Sequence, residues 1–462
     1  MSQSNEPGID DFKDVELTPA ERKFEKIITP FEQFIRDETA SGMLLMFCTV
    51  LALIFANSFI SQNYEHILHA QVGIQIGGWS LGMTLHHFIN DVLMTLFFFV
   101  VGLEIKREVL AGELSQPAQA MLPIAGAVGG MLVPALLYWM INGDGPGARG
   151  WGVPMATDIA FVVGIMVLLG KRVPPSLFTF LIALAIVDDL GAVAVIAIFY
   201  TDTLSVPALT AAGLLLAMLI GMNYVGVRRP IPYFIVGTIL WYAMYKSGVH
   251  ATVAGVLTAW TIPAKSTMSP KNFAVLAGKL LERYQKHVCW KEQSDHCVQD
   301  QQQRRGIIQA LEDGVHAQET PLQRLEHNLH IPVAFLVIPI FALANAGIPI
   351  DLSSFGDVLS HPVALGVILG LVVGKTLGIA GMAWIAVKLG IAELPKSTGM
   401  SQIVGAAMLG GVGFTMSIFI AELGFTQMPH ELLMAKTGIL FASLLAGVTG
   451  YVWLRCVARE RP

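Results

Sequence analysis

The sequence predicts an all-α polytopic membrane protein of about twelve transmembrane helices, with a small β element on its outer side. Three observations carry that prediction. Of 462 residues, 54% are hydrophobic and 14% charged, and the mean hydropathy is +0.61, a balance outside the range of soluble multidomain chains. Apolar stretches recur near 42–59, 86–105, 118–141, 151–169, 175–200, 205–222, 231–246, 249–262, 331–346, 362–387, 400–421 and 432–454, each long enough, or nearly so, to span a bilayer. With the N-terminus in the cytoplasm, 25 of the 29 Lys and Arg fall in cytoplasmic segments, the bias that sets membrane topology. Arg149, Lys246 and Lys436 lie outside or near the outer ends, and Lys375 lies within a span. Both termini are therefore expected in the cytoplasm. The net charge of −5 says little, because the placement of basic residues matters more than their sum.

Residues 1–40 read as a cytoplasmic N-terminal segment without a signal peptide, since hydrophobicity begins only near Met43. Thr18-Pro-Ala-Glu21 has the form of a capping box. Phe24, Ile27, Ile28, Phe31, Phe34 and Ile35 then line one side, as in an amphipathic helix on the membrane surface. A disordered tail is the other reading. Spans 1 to 8 occupy 41–262. Between the first two, Val72, Ile74 and Ile76 alternate up to Gly77-Gly78, and Trp79 and Leu81 resume the alternation. That pattern suits a β-hairpin, and an irregular outer loop remains open on local grounds. An isolated hairpin is marginal in water, so it needs something to pack against.

Residues 263–328 form one long hydrophilic stretch after Pro263, rich in Gln, Glu, Lys and Arg, read as a helical or partly disordered cytoplasmic insertion. Its Cys289 and Cys297, beside His287 and His296, match no standard zinc spacing, so a solvated loop is preferred over a metal site. Spans 9 to 12 occupy 329–456, and 457–462 is a cytoplasmic tail. Cys48 and Cys456 fall in spans, where a packing role is expected.

The chemistry concentrates in four places. Asp188 and Asp189 interrupt the apolar run Phe178–Tyr200, which holds no Lys, Arg or Glu. Each Asp at a bilayer centre costs roughly 2.5–3.5 kcal/mol on insertion scales, so the pair must have partners inside the protein. Intramembrane ionisable residues mark ion or proton pathways. Span 4 is interrupted at Ala156-Thr157-Asp158, after Pro154, and span 11 at Gly410-Gly-Val-Gly413-Phe-Thr415-Met-Ser417. Irregular backbone survives at membrane depth only where protein encloses it or a cavity lies beside it. If spans 3–5 and 10–12 are two repeats, the interrupted helices hold the middle position of each, the pattern of a secondary transporter whose site lies at the crossing. By contrast, Gly366, Gly370, Gly374 and Gly378, spaced by four on span 10, suit close helix packing.

Lys375 is the basic residue of a span interior and needs an acidic partner. Adjacent helical residues point about 100° apart, so one aspartate can face Lys375 while the other faces a cavity. Two neighbouring carboxylates titrate as a coupled pair. One of them can hold a proton or a hard monovalent cation but not both, and oxygens from Thr157 and the carboxylates suit Na⁺ or Li⁺. Competition at one site with alternating access gives obligatory exchange, slowed at acid pH as protons fill the carboxylates.

Ala156-Thr-Asp-Ile-Ala160, Ala185-Ile-Val-Asp-Asp-Leu-Gly191, Phe341-Ala-Leu-Ala-Asn-Ala-Gly347, Gly374-Lys375 and Gly413-Phe-Thr-Met-Ser417 resemble the NhaA-type Na⁺/H⁺ antiporters from about Phe34 to the last span. The resemblance implies inverted repeats with broken, crossed helices 4 and 11, a plan for which that family is itself a known example. It implies electrogenic exchange of cytoplasmic Na⁺ or Li⁺ for external protons, activated at alkaline pH, across a bacterial inner membrane. Asp189 would be the principal ion carboxylate, Asp188 the partner of Lys375, and Thr157 an assisting ligand. Asp158 and Lys375 would compensate the charges of helix ends. An outer hairpin at 72–81 would mediate a homodimer. Val101-Gly-Leu-Glu-Ile-Lys-Arg-Glu108 resembles the family's cytoplasmic mouth, which makes Glu104, Arg107 and Glu108 candidates for pH response, with Asp91 at the other end of the span. A charged helix end is the plainer reading of that mouth, and His250 reads as a packed, hydrogen-bonded histidine. The resemblance implies no cofactor and no nucleic-acid partner. The stretch 263–328 departs from the family pattern by its length, and no pH-responsive residue is carried over onto it.

Two other functions are weighed against exchange. A sodium-coupled symporter on a similar broken-helix fold would make Na⁺ movement depend on a solute. An intramembrane aspartyl protease draws its aspartates from two helices, whereas Asp188 and Asp189 are consecutive and no Gly-x-Gly-Asp element occurs.

Overall fold

The computed structural model describes residues 38–76, 79–201, 204–266, 268–286, 296–349, 356 and 360–457. The expected surface helix at Phe24–Ile35, the turn residues Gly77-Gly78, and His287 and Cys289 lie outside them.

Helix α1 (Glu38–Ala56) turns sharply into α2 (Ser61–Leu68), with a bend of 114°. Strands β1 (Gln71–Ile76) and β2 (Trp79–Thr84) pair antiparallel, from Gln71 opposite Thr84 to Ile76 opposite Trp79. Of the two readings left open for this segment, the hairpin forms, and Leu85 N donates to Ala70 O at its base (2.9 Å). Tyr64 Oη donates to Leu343 O (2.5 Å) and Asn57 Nδ2 to Ile348 O (2.8 Å), which ties the α1–α2 corner to the rest of the fold.

Next come α3 (Leu85–Ala111) and α4 (Pro117–Asn142). A 3₁₀ segment (Pro146–Met155) and α5 (Ile159–Leu169) are followed by α6 (Pro175–Phe199), α7 (Val206–Val225), α8 (Pro230–Ser247) and the short α9 (Thr252–Thr261). The hydrophilic stretch contains α10 (Pro270–Lys286) and α11 (His296–Gln318). After it run α12 (Pro321–Asn345) and α13 (Pro362–Lys388), then α14 (Met400–Leu409), α15 (Phe414–Gly424) and α16 (Pro429–Val457).

Among the described residues, seven helices are long and apolar enough to cross a membrane, or ten if each bent pair is one span. The bent pairs are α1 with α2, the 3₁₀ segment with α5 (41°), and α14 with α15 (48°). The other two expected stretches, 231–246 and 249–262, coincide with α8 and α9. Helix α12 starts ten residues ahead of its apolar stretch. Thr320 caps it, with Gln323 answering in a capping box and Pro321 at the first turn, so local capping chemistry sets the start rather than hydropathy.

Burial runs opposite to that of a soluble protein. Leu214 on α7 is 74% exposed, while Asp188, Asp189 and Lys375 are at most 1% exposed. Apolar side chains on the outside suit contact with lipid, and the charged groups sit where protein can partner them. Helices α4 and α13 are pressed together at their glycines. A β-carbon on Gly378 would run into the Gly129 carbonyl, and one on Gly374 into the Pro134 backbone. Small residues let two backbones approach without side chains between them, and this approach brings Lys375 inward.

Candidate functional site

The site is assembled where two helices stop. Span 4 breaks because Ala156 is extended after the 3₁₀ segment, and α5 restarts with Asp158 as its cap. Span 11 breaks at Gly410–Gly413, between α14 and α15. The breaks touch. Asp158 N donates to Val412 O (2.7 Å) and Thr157 Oγ1 to Gly410 O (2.9 Å). Ser417 Oγ reaches back to Val153 O (2.8 Å).

Asp158 serves both restarting helices. Its Oδ1 accepts from Phe161 N (3.1 Å) at the start of α5. Its Oδ2 accepts from Thr415 N (3.0 Å) and Thr415 Oγ1 (2.5 Å) at the start of α15. One carboxylate therefore caps two N-termini, each carrying partial positive charge. Ser443 Oγ, on α16, accepts from Phe414 N (3.1 Å) and completes the second cap.

Lys375 stands on the other side of the breaks, beside Thr157. Its Nζ lies 2.5 Å from Asp188 Oδ2 and donates to Thr157 Oγ1 (3.0 Å). A π-helical segment, Leu369–Gly374, immediately precedes it. The wider i→i+5 turn inserts backbone into α13 and so changes the direction in which Lys375 leaves the helix. Asp189, one position along α6 from Asp188, is differently placed. Both of its oxygens are enclosed and accept no hydrogen bond, and Asp188 Oδ1 is in the same state. Electrostatic influence reaches Asp189 from Asp188, Asp158, Glu104 and Lys375.

The structure thus brings Thr157, Asp158, Asp188, Asp189 and Lys375 together. Glu104 is within electrostatic reach of this group, while Arg107, Glu108 and Asp91 lie apart from it. Arg107 bridges Glu108 (2.8 Å) and Glu326 of α12 (2.9 Å), and Lys106 donates to Trp260 O and Ile262 O at the end of α9. At the opposite end of α3, Asp91 pairs with His87 at 3.2 Å. His250 Nε2 lies 2.6 Å from Tyr200 O, the packed and hydrogen-bonded arrangement expected for it.

A second buried polar group centres on Asn345, which stands in one of the motifs that carry the resemblance but had no role assigned from the sequence. Asn345 donates to Asn90 Oδ1 (2.8 Å) and its Oδ1 lies 3.0 Å from His86 Nε2, while Glu422 bonds Lys436 at 2.5 Å. A lone Asn inside an apolar run was the available signal, as was Ser443. Neither could be interpreted without knowing which helices face each other.

A chain of many apolar helices, with a buried ionisable cluster at two touching helix breaks, is built as a multi-pass secondary transporter. Residues 32–454 match the family described as Na⁺/H⁺ antiporter 1. The chain is 50% identical over 441 residues to a protein named Na⁺/H⁺ antiporter NhaA 1 from Saccharophagus degradans, an alignment covering 96% of this chain and 94% of that one. It is 50% identical over 442 residues to the Na⁺/H⁺ antiporter NhaA of Sulfurimonas denitrificans (96% and 98%), and 47% over 440 residues to that of Dichelobacter nodosus (95% and 94%). The chain belongs to the Na⁺/H⁺ antiporter 1 family, and it is a secondary transporter rather than an enzyme.

Proposed function

We propose that this protein exchanges cytoplasmic Na⁺, or Li⁺, for external protons, and that the exchanged ion binds at Asp189 with help from Asp188 and Thr157. The observation that carries the proposal is the state of Asp189, whose two enclosed oxygens have no protein donor. A buried polar group left without a partner costs about 1–3 kcal/mol, and more when charged. Such a group persists where a mobile partner completes it, and here a proton or a small cation can do so. Asp188 is already engaged by Lys375, so the two aspartates divide the work: one answers the lysine, the other carries the ion. Lys375 and Asp158 compensate the helix ends that meet at the two breaks.

The exchange is electrogenic in this reading, because two carboxylates and an amine surround a single cation and more than one proton can leave when it binds. Activation at alkaline pH follows from competition, since protons occupy the carboxylates at acid pH. Glu104, Arg107 and Glu108 at the inner mouth of α3, and Asp91 at its outer end, are the candidates for tuning that response. Twelve spans, with spans 4 and 11 crossing in inverted repeats, both termini in the cytoplasm and a bacterial inner-membrane location complete the proposal. A homodimer through the 72–81 hairpin is part of it.

Inside-out vesicles acidified by respiration test the function. Added Na⁺ is expected to dissipate the pH gradient at pH 7 to 9 without any organic solute, and Asp189→Asn is expected to abolish the response. Retained exchange in that variant overturns the site. A wild-type response that requires a solute favours the symporter instead.

A further inference from the structure

A second cluster of ligand-type side chains lies away from the aspartates. His361 caps the start of α13, and His430 and Glu431 stand in the first turn of α16. One donor atom from each of the three lies within 4.8 Å of the other two. The pair His361 Nε2 and Glu431 Oε2 is 3.7 Å apart, and Glu431 Oε2 is enclosed without a hydrogen bond. His361 and Glu431 form part of the wall of a cavity of about 320 Å³, which Trp139, Asn142, Asp144 and Gly147 also line.

We propose that His361, His430 and Glu431 form a binding site for a divalent transition cation of the zinc class. Zinc held by imidazole nitrogen and carboxylate oxygen has arms of roughly 2.0–2.2 Å, which places tetrahedral ligands about 3.3–3.6 Å from one another. The His361–Glu431 separation of 3.7 Å is close to that value. His430 is exposed, so it is free to swing the remaining distance. At 3.7 Å the pair is beyond hydrogen-bond range and is an ion pair only when His361 is protonated, so a neutral imidazole leaves Glu431 Oε2 open to a cation. Two imidazoles select a transition metal over Ca²⁺ or Mg²⁺, which take oxygen ligands. Two His and one Glu leave a fourth position, and the cavity beside them has room for water there.

Coordination through His361 Nε2 gives up the contact of Nδ1 with Val363 N, which at 3.4 Å is outside the usual 2.7–3.2 Å range. Binding then staples the first turn of α13, the helix that carries Lys375, to the first turn of α16.

The test uses purified full-length protein stripped of metal, titrated with Zn²⁺ against a zinc-binding dye while thermal unfolding is followed. His287, Cys289, His296 and Cys297 are replaced by Ala or Ser in a control background, so that the other Cys/His group cannot account for binding. One Zn²⁺ per chain is expected in that background, with a rise in Tm. H430A and E431Q are each expected to weaken it more than about tenfold and to remove the Tm rise, because each removes a ligand. His430 is exposed, so H430A is expected to fold with the Tm of the metal-free parent. Zinc binding that survives both substitutions, or no binding in the control background, overturns the proposal. The measurement reads metal and Tm in solution, so its outcome is independent of whether Asp189 exchanges Na⁺.

Discussion

Lys375 has no exposed surface, and its ammonium is held by one carboxylate and one hydroxyl. Breaking a buried ion pair by deleting one partner costs about 3–5 kcal/mol, because the remaining charge is stranded. Lys375→Ala is therefore expected to lower the thermal stability of the detergent-solubilised protein substantially. Adding Asp188→Asn should recover part of the loss, since it removes the stranded charge. Asp189→Asn should behave in the opposite way. Its oxygens have no protein donor to lose, so stability should hold or rise while exchange disappears. Equal melting temperatures for wild type and Lys375→Ala would count against this account of the pair. The sequence was enough to mark both aspartates and the lysine as costly in an apolar setting. Residue chemistry by itself left open which aspartate faces which group; the family resemblance assigned Asp188 to Lys375, and the structure places Asp188 Oδ2 against the Lys375 ammonium.

At the scale of elements, the two broken helices depend on each other. Asp158 accepts from backbone donors at the starts of both α5 and α15, and Asp158 N donates to the opposite break at Val412. A lost N-cap costs about 0.5–2 kcal/mol, and Asp158→Ala removes two at once. We expect a loss of about 1–4 kcal/mol from those two caps, read as a lower Tm and a wider transition, with Asp158→Asn milder because the amide oxygen still accepts. A stability indistinguishable from wild type in Asp158→Ala would mean that Thr415 and Ser443 hold the break alone. Both interruptions were legible as Pro, Gly, Thr and Asp inside apolar stretches. Their contact was not, because about 250 residues of chain separate them and no local pattern encodes such a distance. The start of α12 was missed for a different reason: hydropathy begins at Ile331, but the Thr320 capping box starts the helix at Pro321.

At the scale of the molecule, two appendages leave the helical body. The insertion closes at its own base, where Met268 N donates to Ala317 O (3.0 Å) and Leu322 N to Pro263 O (3.3 Å). Its two helices pack on each other, with Gly314 lying against Phe273. Replacing residues 268–317 by a short Gly/Ser linker is therefore expected to leave folding and exchange close to wild type, since the ends already meet. Collapse of expression would show that α10 and α11 support the body. The hairpin is the other appendage. Two strands alone are marginal, and in the proposed dimer a second copy covers them. Removing 72–83 while keeping the α2–α3 connection should give a monomer by light scattering, with exchange retained in each protomer.

Some properties of this protein are decided by composition and order alone. Long apolar helices, the bias of Lys and Arg, and charges too costly for lipid follow from transfer energies that each residue carries wherever it stands. The helix breaks belong to the same group, since Pro, Gly and Asp act on their own backbone. What tertiary structure decided is partnership: Asp188 with Lys375, Asp158 with Thr415, Glu431 beside His361. These depend on which helix faces start in contact, and that choice follows from how glycine-lined backbones such as α4 and α13 fit together across the whole fold. The energy of a buried charge is a property of its neighbours, so the His–His–Glu cluster could not be read before the helices were packed, and the division of the aspartate pair was available beforehand only through the family resemblance.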